Sequence, residues 1–126
     1  MKEIIHTDEA PKAIGPYSQA VKVGNMVYTA GQVALDAKTG ELNNSTLEEE
    51  VNQIMQNLGK ILNAAGSSFD QVVKTTIFLS DLNNYREVNQ IYGQYFDQDP
   101  PARSTVEVAK LPKEVRVEIE FIAYCP

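Results

Sequence analysis

The spacing of apolar residues changes along the chain between the period of a strand and the period of a helix. Residues 20–29 form two short β-prone runs on either side of Gly24-Asn25, the pattern of a hairpin with a two-residue turn. From Thr46 to Ala65, apolar side chains recur three and four residues apart, which predicts an amphipathic helix. The chain therefore changes from β-structure to helix near Thr46.

The residues at both ends of this helix support its predicted limits. Thr46 and Glu49 have the spacing of an N-terminal capping box. Gly66 follows the last apolar position and suits the left-handed conformation that commonly ends a helix. We therefore expect the helix to begin just after Thr46 and to end just before Gly66.

The second half of the chain repeats the alternation of strand and helix. Its predicted elements are a strand, a helix and two further strands, over residues 72–79, 84–96, 103–109 and 115–124. Pro100-Pro101 prevents the second helix from continuing. The order indicates one α+β domain over residues 1–126, with two helices packed on one face of a mixed sheet.

The other face of the predicted sheet is not uniformly polar. Phe78 and Ile122 alternate onto the side that the helices leave open, where a solvated sheet usually carries polar residues. Isolated exposed apolar side chains are common, so one interpretation is that these two residues face water. The other interpretation is that another subunit covers this face. The pattern alone favours neither.

Composition limits the partners that the protein can have. The 126 residues include 11 Lys and Arg against 17 Asp and Glu, a formal charge of −6. This charge argues against a general binder of nucleic acid or anionic membranes, because phosphate contacts need a cationic surface. The N-terminus has no apolar signal region and no long apolar run occurs, so we expect a cytoplasmic protein without a membrane anchor.

Most chemistries found in small domains lack their residues in this chain. His6 is the only histidine and Cys125 the only thiol, whereas a zinc site needs three or four clustered ligands. No glycine-rich phosphate loop of the known kinds occurs. A nucleophilic triad fails because there is no second histidine, and we expect His6 in a mobile terminus. No metal and no covalent nucleophile are therefore expected.

The remaining polar residues suggest a binder of a small carboxylate. Arg103 follows a Pro-Pro-Ala turn, and arginine can grip a carboxylate with two parallel hydrogen bonds. The competing interpretation is an arginine paired with a surface acid at a strand end. Glu118 and Glu120 share one face of the last strand, Tyr17 lies on a Gly-Pro turn, and Asn89 lies on a helix edge. These four can equally be solvated or packing residues.

Several short stretches, specific only in combination, extend over nearly the whole chain. They are residues 13–20, 24–26, 29–32, 73–76, 88–92, 101–108, 111–113 and 117–120. Read together, these stretches resemble the reactive-intermediate deaminase family of the RidA and YjgF type, which includes proteins named after the endoribonuclease L-PSP.

The resemblance implies a fold like that of chorismate mutase of the bacillus type, a homotrimer with a central β-barrel and helices outside. It implies three equivalent clefts between subunits, each built from two chains. The implied activity is hydrolysis of reactive 2-imino acids, such as 2-iminobutanoate and 2-iminopropanoate, to 2-oxo acids and ammonia. Pyridoxal-phosphate enzymes such as threonine dehydratase release these imines, whereas the implied deaminase uses no cofactor.

The resemblance also implies roles for individual residues. Arg103 matches the arginine that holds the substrate carboxylate, and Glu118 matches the glutamate that activates the attacking water. Tyr17 matches a tyrosine that donates its hydroxyl in the cleft. The other positions that match substrate-binding residues are Asn89, Thr105, Ala30, Gly31 and Gln32.

Two positions depart from the common family pattern. Thr105 stands where many members have cysteine, so a thiol is not needed there for a chemical step. Ala30 stands where active deaminases often have serine. If that hydroxyl bonds substrate or water, its loss would cost on the order of 0.5–1.5 kcal/mol, or about tenfold in rate. We expect weakened activity or a different ligand from this change, and not abolished activity.

Two other functions remain open. One is a non-catalytic trimer that binds a small carboxylate and regulates a protein of purine or branched-chain amino-acid metabolism. The other is a ribonuclease or translation inhibitor, as some relatives were first described. The formal charge of −6 counts against the ribonuclease.

Overall fold

The computed structural model describes residues 1–126 and contains a single six-stranded sheet with two α-helices. The helices are α1 (Leu47–Ala65) and α2 (Tyr85–Gly93). The strands, in chain order from β1 to β6, are Lys2–Ile5, Ala20–Val23, Met26–Thr29, Val72–Leu79, Ala102–Glu107 and Val117–Tyr124. Both helices lie on one face of the sheet, so the predicted α+β class is confirmed.

The last strand of the chain occupies the middle of the sheet, whose order is β1-β2-β3-β6-β4-β5. All neighbouring strands are antiparallel except β4 and β5, which are parallel. The register sets Glu118 of β6 opposite Phe78 of β4. It sets Arg103 of β5 beside Thr75 of β4. Because β5 is an edge strand, Arg103 lies near the margin of the sheet and Glu118 near its centre.

Helix α1 has the limits that its sequence predicted. The Thr46 hydroxyl accepts a hydrogen bond from the backbone N–H of Glu49 at 3.0 Å. Gly66 adopts φ = 85°, a left-handed conformation that glycine reaches without a Cβ clash. The apolar stripe of α1 is fully buried against the sheet, where it meets Ile119 and Phe121 of β6. No helix of the protein combines the length and the apolar character that crossing a bilayer requires.

The N-terminus is ordered, contrary to the expectation of a mobile segment. Strand β1 pairs antiparallel with β2 at the edge of the sheet. The buried side chain of Gln19 holds the segment that follows β1, since its oxygen accepts from the Thr7 N–H at 2.7 Å. Its amide nitrogen donates to the carbonyls of Thr7 and Pro11 at 3.0 and 2.8 Å. These bonds satisfy a polar side chain that burial would otherwise penalise.

Helix α2 and the last two strands are shorter than predicted. Helix α2 ends at Gly93, and residues 94–96 continue only as turns. Tyr85, predicted on the inner stripe of α2, has 42% of its surface exposed. Between β5 and β6, Lys113 and Glu114 adopt φ values of 58° and 56°, which are costly for residues with a Cβ and incompatible with an extended strand. This turn delays the start of β6 to residue 117.

The face of the sheet opposite the helices, here called the open face, carries many apolar side chains. Phe78 and Ile122 are half-buried there, as their alternation predicted. The same face includes more exposed side chains from five strands, namely Ile4, Val23, Tyr28, Val106 and Tyr124. An apolar surface of this breadth is unusual for a monomer and typical of a surface that another subunit covers.

Candidate active site

The predicted site residues form two groups in the chain, on opposite faces of the sheet. The first group surrounds Glu118, which projects from β6 on the open face. The second group surrounds Arg103, which projects from β5 towards α2 on the helix face. The sequence predicted Glu118 and Arg103 as site residues, but it did not indicate that a single chain keeps them on opposite faces of the sheet.

Glu118 lies in a cavity of about 560 Å³, here called the Glu118 cavity. The predicted residues Tyr17, Ala30 and Gly31 line this cavity together with Glu118. The rest of its wall is contributed by Lys12, Ile14, Val33, Leu35, Pro112 and Lys113. Gln32, predicted as pocket wall, does not line it. The cavity therefore combines one carboxylate, one phenol and two lysines with an apolar surface.

The backbone next to Glu118 is fixed by pairing with β6. The Gln32 N–H donates to the Ile119 carbonyl at 2.8 Å, and the Ile119 N–H donates back to Gln32 at 3.1 Å. Gly31 is consequently pressed against the Glu118 side chain. A Cβ added at Gly31 would lie 2.8 Å from the Glu118 carboxyl carbon, closer than real Cβ contacts. Only glycine allows this carboxylate to lie against the chain here.

The Glu118 carboxylate is a stronger proton acceptor than an ordinary glutamate. Burial raises the pKa of Glu118, and the negative charge of Glu120 on the same strand face raises it further. No hydrogen bond from within the chain offsets these two effects on the carboxylate. A half-buried carboxylate in this state has a free lone pair and a pKa closer to neutrality, as a general base requires.

Tyr17 is placed at the cavity by a tight turn. Gly15 has φ = 120°, and its carbonyl accepts from the Tyr17 N–H at 2.9 Å. The Ile14 N–H donates to the Tyr17 hydroxyl oxygen at 3.3 Å. The hydroxyl hydrogen is therefore left free to donate to a ligand in the cavity.

The Arg103 guanidinium is held by neutral groups only. Nη1 donates to the Asn89 side-chain oxygen at 2.6 Å, and Nη2 donates to the Tyr85 hydroxyl at 2.8 Å. The guanidinium carbon lies 5.1 Å from the centre of the Tyr92 ring and 5.6 Å from that of Tyr85. Arg103 forms no ion pair in the chain. Its positive charge is therefore available to an anionic ligand.

Sequence reasoning did not identify Tyr85 and Tyr92 as part of this group. The Tyr92 hydroxyl is 2.8 Å from the hydroxyl of the buried Thr75, and burial raises the pKa of Tyr92. The signal was the spacing of Tyr85, Asn89 and Tyr92, which puts all three on one side of a helix. Only the register of β5 beside β4 shows that Arg103 is the residue they face.

Thr105 lies two residues beyond Arg103 on the same strand face, beside Ile77. Its hydroxyl oxygen is buried and has no hydrogen-bond partner in the chain. Buried polar atoms are nearly always satisfied, so an unpartnered hydroxyl next to a free cation points to a contact made outside this chain.

No three His, Cys, Asp or Glu side chains lie close enough together to hold a metal ion. Cys125 is buried and donates a weak hydrogen bond to the Ala65 carbonyl at 3.3 Å. Cys125 thus belongs to the core and to neither group of site residues.

The fold and these two groups define a small α+β protein that offers a carboxylate base and a free arginine on separate surfaces. Its sequence matches the model of the family described as Endoribonuclease L-PSP over residues 7–125. It is 48% identical over 123 residues to the human 2-iminobutanoate/2-iminopropanoate deaminase, covering 98% of this chain and 90% of the human protein. It is 48% identical over 124 residues to a RutC family protein of Pyrococcus horikoshii, covering 98% of both chains.

Solved structures agree with the sequence matches. The Escherichia coli YjgF gene product is 45% identical with a TM-score of 0.92, over 97% of this chain and 98% of that one. Escherichia coli TdcF with bound serine is 42% identical with a TM-score of 0.94, over 98% of this chain and 99% of that one. The chain therefore belongs to the RidA and YjgF family that its motifs resemble.

Proposed function

We propose that the protein hydrolyses reactive 2-imino acids, such as 2-iminobutanoate and 2-iminopropanoate, to 2-oxo acids and ammonia. The observation that carries this proposal is Glu118, a carboxylate without a donor partner whose pKa is raised by burial. Such a group accepts a proton from water near neutral pH. The human and mouse relatives named 2-iminobutanoate/2-iminopropanoate deaminase, 48% and 50% identical, support the substrate class.

The reaction needs one water and returns Glu118 to its starting state. Glu118 takes a proton from water while the water oxygen bonds to the imine carbon, and the C=N electrons move to nitrogen. The protonated Glu118 gives that proton to the nitrogen, which yields a carbinolamine. Glu118 then takes the hydroxyl proton as the C=O bond forms and the C–N bond breaks. Glu118 passes this proton to the departing nitrogen, which leaves as ammonia, and the carboxylate is restored.

Arg103 positions the substrate in this scheme by holding its carboxylate. Arginine can donate two parallel hydrogen bonds to a carboxylate, which fixes the adjacent imine carbon in space. The neutral surroundings of Arg103 support this role, because no acid in the chain competes for the guanidinium. The free hydroxyl of Tyr17 and the unpartnered hydroxyl of Thr105 are the other donors that we assign to the substrate and the water.

We further propose that each complete site is shared between two chains of a homotrimer. Within one chain Arg103 and Glu118 project from opposite faces of the sheet, so one substrate cannot touch both. A neighbouring chain packed on the open face would bring its edge strand β5, which carries Arg103, to the Glu118 cavity. The apolar side chains of the open face support this packing, since assembly would remove them from water.

The test is a coupled assay in which threonine dehydratase generates the imine from threonine and semicarbazide traps what remains. We expect the wild-type protein to reduce the trapped imine, and Arg103→Ala and Glu118→Gln each to lose at least about a hundredfold in rate. The controls Arg86→Ala and Glu87→Gln remove the same charges from exposed positions on α2 and should behave like wild type. Equal rates for wild type and Glu118→Gln would refute the mechanism.

A second candidate is a non-catalytic binder of a small carboxylate, which the bound serine in Escherichia coli TdcF favours. The same assay separates the two functions. A binder would leave the imine untouched while still binding a 2-oxo acid through Arg103. The endoribonuclease in the family description is disfavoured here by the formal charge of −6.

A further inference from the structure

We propose that Tyr85 and Asn89 are positioning residues that hold the Arg103 guanidinium between neutral acceptors and so keep its charge free for an anionic ligand. This inference rests on the proposed function of Arg103 and deepens it. It assigns Asn89 to Arg103 instead of to the substrate, and it adds Tyr85, a residue for which sequence reasoning predicted only packing.

The hydrogen bonds leave enough donors for a carboxylate. A guanidinium has five N–H groups, and the bonds to Asn89 and Tyr85 use one from each terminal nitrogen. Three N–H groups remain, and a carboxylate that is gripped at both oxygens needs two. Tyr85 and Asn89 can therefore hold Arg103 while a ligand is bound, as well as before it arrives.

The position of the guanidinium is set by groups that are themselves fixed. The Tyr92 ring lies beneath it, and the Tyr92 hydroxyl is tied to the buried Thr75. Tyr85 begins α2 directly after the turn Leu82–Asn84, whose start is capped by the Asp81 side chain. The Arg103 guanidinium consequently lies close to two aromatic rings, an arrangement that also favours a cation.

The acid that shares the Arg103 face of β5 is engaged elsewhere. Glu107 lies on the same face of β5, but its carboxylate accepts a hydrogen bond from the Leu82 N–H at 2.9 Å. Arg116, in contrast, is neutralised within the chain, since its Nε donates to the Glu50 carboxylate at 2.7 Å. A carboxylate in the place of Asn89 would neutralise Arg103 in the same way and compete with the ligand.

The decisive variant is Asn89→Asp, which keeps the shape and an acceptor oxygen but adds a negative charge beside Nη1. We expect the KM for the imine to rise at least about tenfold, with a much smaller change in kcat. Calorimetric affinity for 2-oxobutanoate should fall by a similar factor. The melting temperature should stay the same or rise, because the variant gains an internal ion pair. Gln90→Glu is the control, as it adds the same charge to the same helix at an exposed position.

Tyr85→Phe tests the hydroxyl alone, since the ring remains. We expect a rise of about threefold to tenfold in KM and in the dissociation constant for 2-oxobutanoate. A purely structural role for Tyr85 and Asn89 predicts instead a lower melting temperature and unchanged affinity in the folded protein, and that result overturns the inference.

Arg103→Ala, measured alongside, distinguishes a failure of the proposed function from a failure of the positioning role. If Arg103→Ala binds 2-oxobutanoate as tightly as wild type does, the proposed function of Arg103 fails. If Arg103→Ala loses binding while Asn89→Asp and Tyr85→Phe keep wild-type affinity, the proposed function stands and the positioning role is refuted.

Discussion

Two pairs of opposite charges in this protein are in contrasting states, although Arg116 directly precedes the last strand and Glu118 lies within it. Glu50 is fully buried at the start of α1 and accepts hydrogen bonds from Arg116 Nε at 2.7 Å, the Arg116 N–H at 3.0 Å and the Val117 N–H at 3.2 Å. Glu118 and Arg103 have no ionic partner in the chain and lie on opposite faces of the sheet.

The contrast separates a stabilising role from a functional one. The charges of Glu50 and Arg116 compensate each other, so this pair ties the beginning of β6 to α1. The Glu118 carboxylate keeps a raised pKa, and Arg103 keeps a free charge. In the proposed shared site, a ligand and a second chain are the partners of both groups, which have no stabilising ionic partner within the isolated chain.

Breaking the pair of Glu50 and Arg116 should give the largest effect on stability. We expect Glu50→Ala to lower the free energy of unfolding by about 3–5 kcal/mol, because Arg116 would lose its carboxylate and two backbone N–H groups would lose their acceptor. Denaturant unfolding at a fixed protein concentration measures this change. The control Glu48→Ala removes an exposed acid from the same helical turn and should change stability by less than about 1 kcal/mol. A loss below that value in Glu50→Ala would contradict the structural role.

Displacing the Glu118 carboxylate should cost activity instead. In Gly31→Ala the new Cβ would occupy the space of the Glu118 side chain, which must move away from the reacting position. We expect the imine hydrolysis rate to fall about tenfold to a hundredfold, because small misplacements of a catalytic group have effects of this size. Gly93→Ala is the matched control, since a Cβ there meets no atom within 4 Å. Wild-type activity in Gly31→Ala would show that Glu118 does not act from this position.

The smallest effect concerns the pH dependence of stability. The folded chain holds the Glu118 proton more tightly than the unfolded chain does, so ionisation of Glu118 disfavours the fold as pH rises. Glu118→Gln should therefore melt slightly higher than wild type at pH 7, and the difference should vanish below the ordinary glutamate pKa. Within the chain the facing charges are those of Glu120, Lys12 and Lys113, to which the proposed trimer adds Arg103 of a neighbour, and both proteins retain all of them. A lower melting temperature for Glu118→Gln at pH 7 would reverse the sign and contradict the raised pKa.

The parts of the fold that the sequence predicted are those whose signals are local. Helix α1 combines a periodic apolar stripe with Thr46 and Gly66 at its ends, so its limits needed no tertiary information. Strand β1 was missed because its order depends on pairing with β2, which sets Ile4 beside Val21, a residue distant in sequence. Gln19 then holds the segment that follows β1 through its bonds to Thr7 and Pro11. Composition around Ile4 gave no sign of this pairing.

For the candidate site, the sequence predicted which residues take part but not where they lie in space. The resemblance supplied Arg103, Glu118 and Tyr17 by matching residues one at a time, and matching residues carries no information on which face of the sheet they occupy. The faces follow from the register of β5 against β4 and of β4 against β6. The neutral surroundings of Arg103 likewise depend on how α2 packs beside β5, so Tyr85 could not be assigned from the sequence.

The central claim is that one site takes Arg103 from one chain and Glu118 from another, and mixing two inactive variants tests it most directly. Arg103→Ala and Glu118→Gln would be co-expressed in equal amounts, purified as mixed assemblies and assayed for imine hydrolysis. Each variant alone should be inactive and should sediment, like wild type, at about three times the 14.0 kDa chain mass. In the mixture a site is complete when one chain supplies Arg103 and its neighbour supplies Glu118, so about a quarter of wild-type activity should return. Mixed assemblies that stay as inactive as the single variants would contradict the shared site.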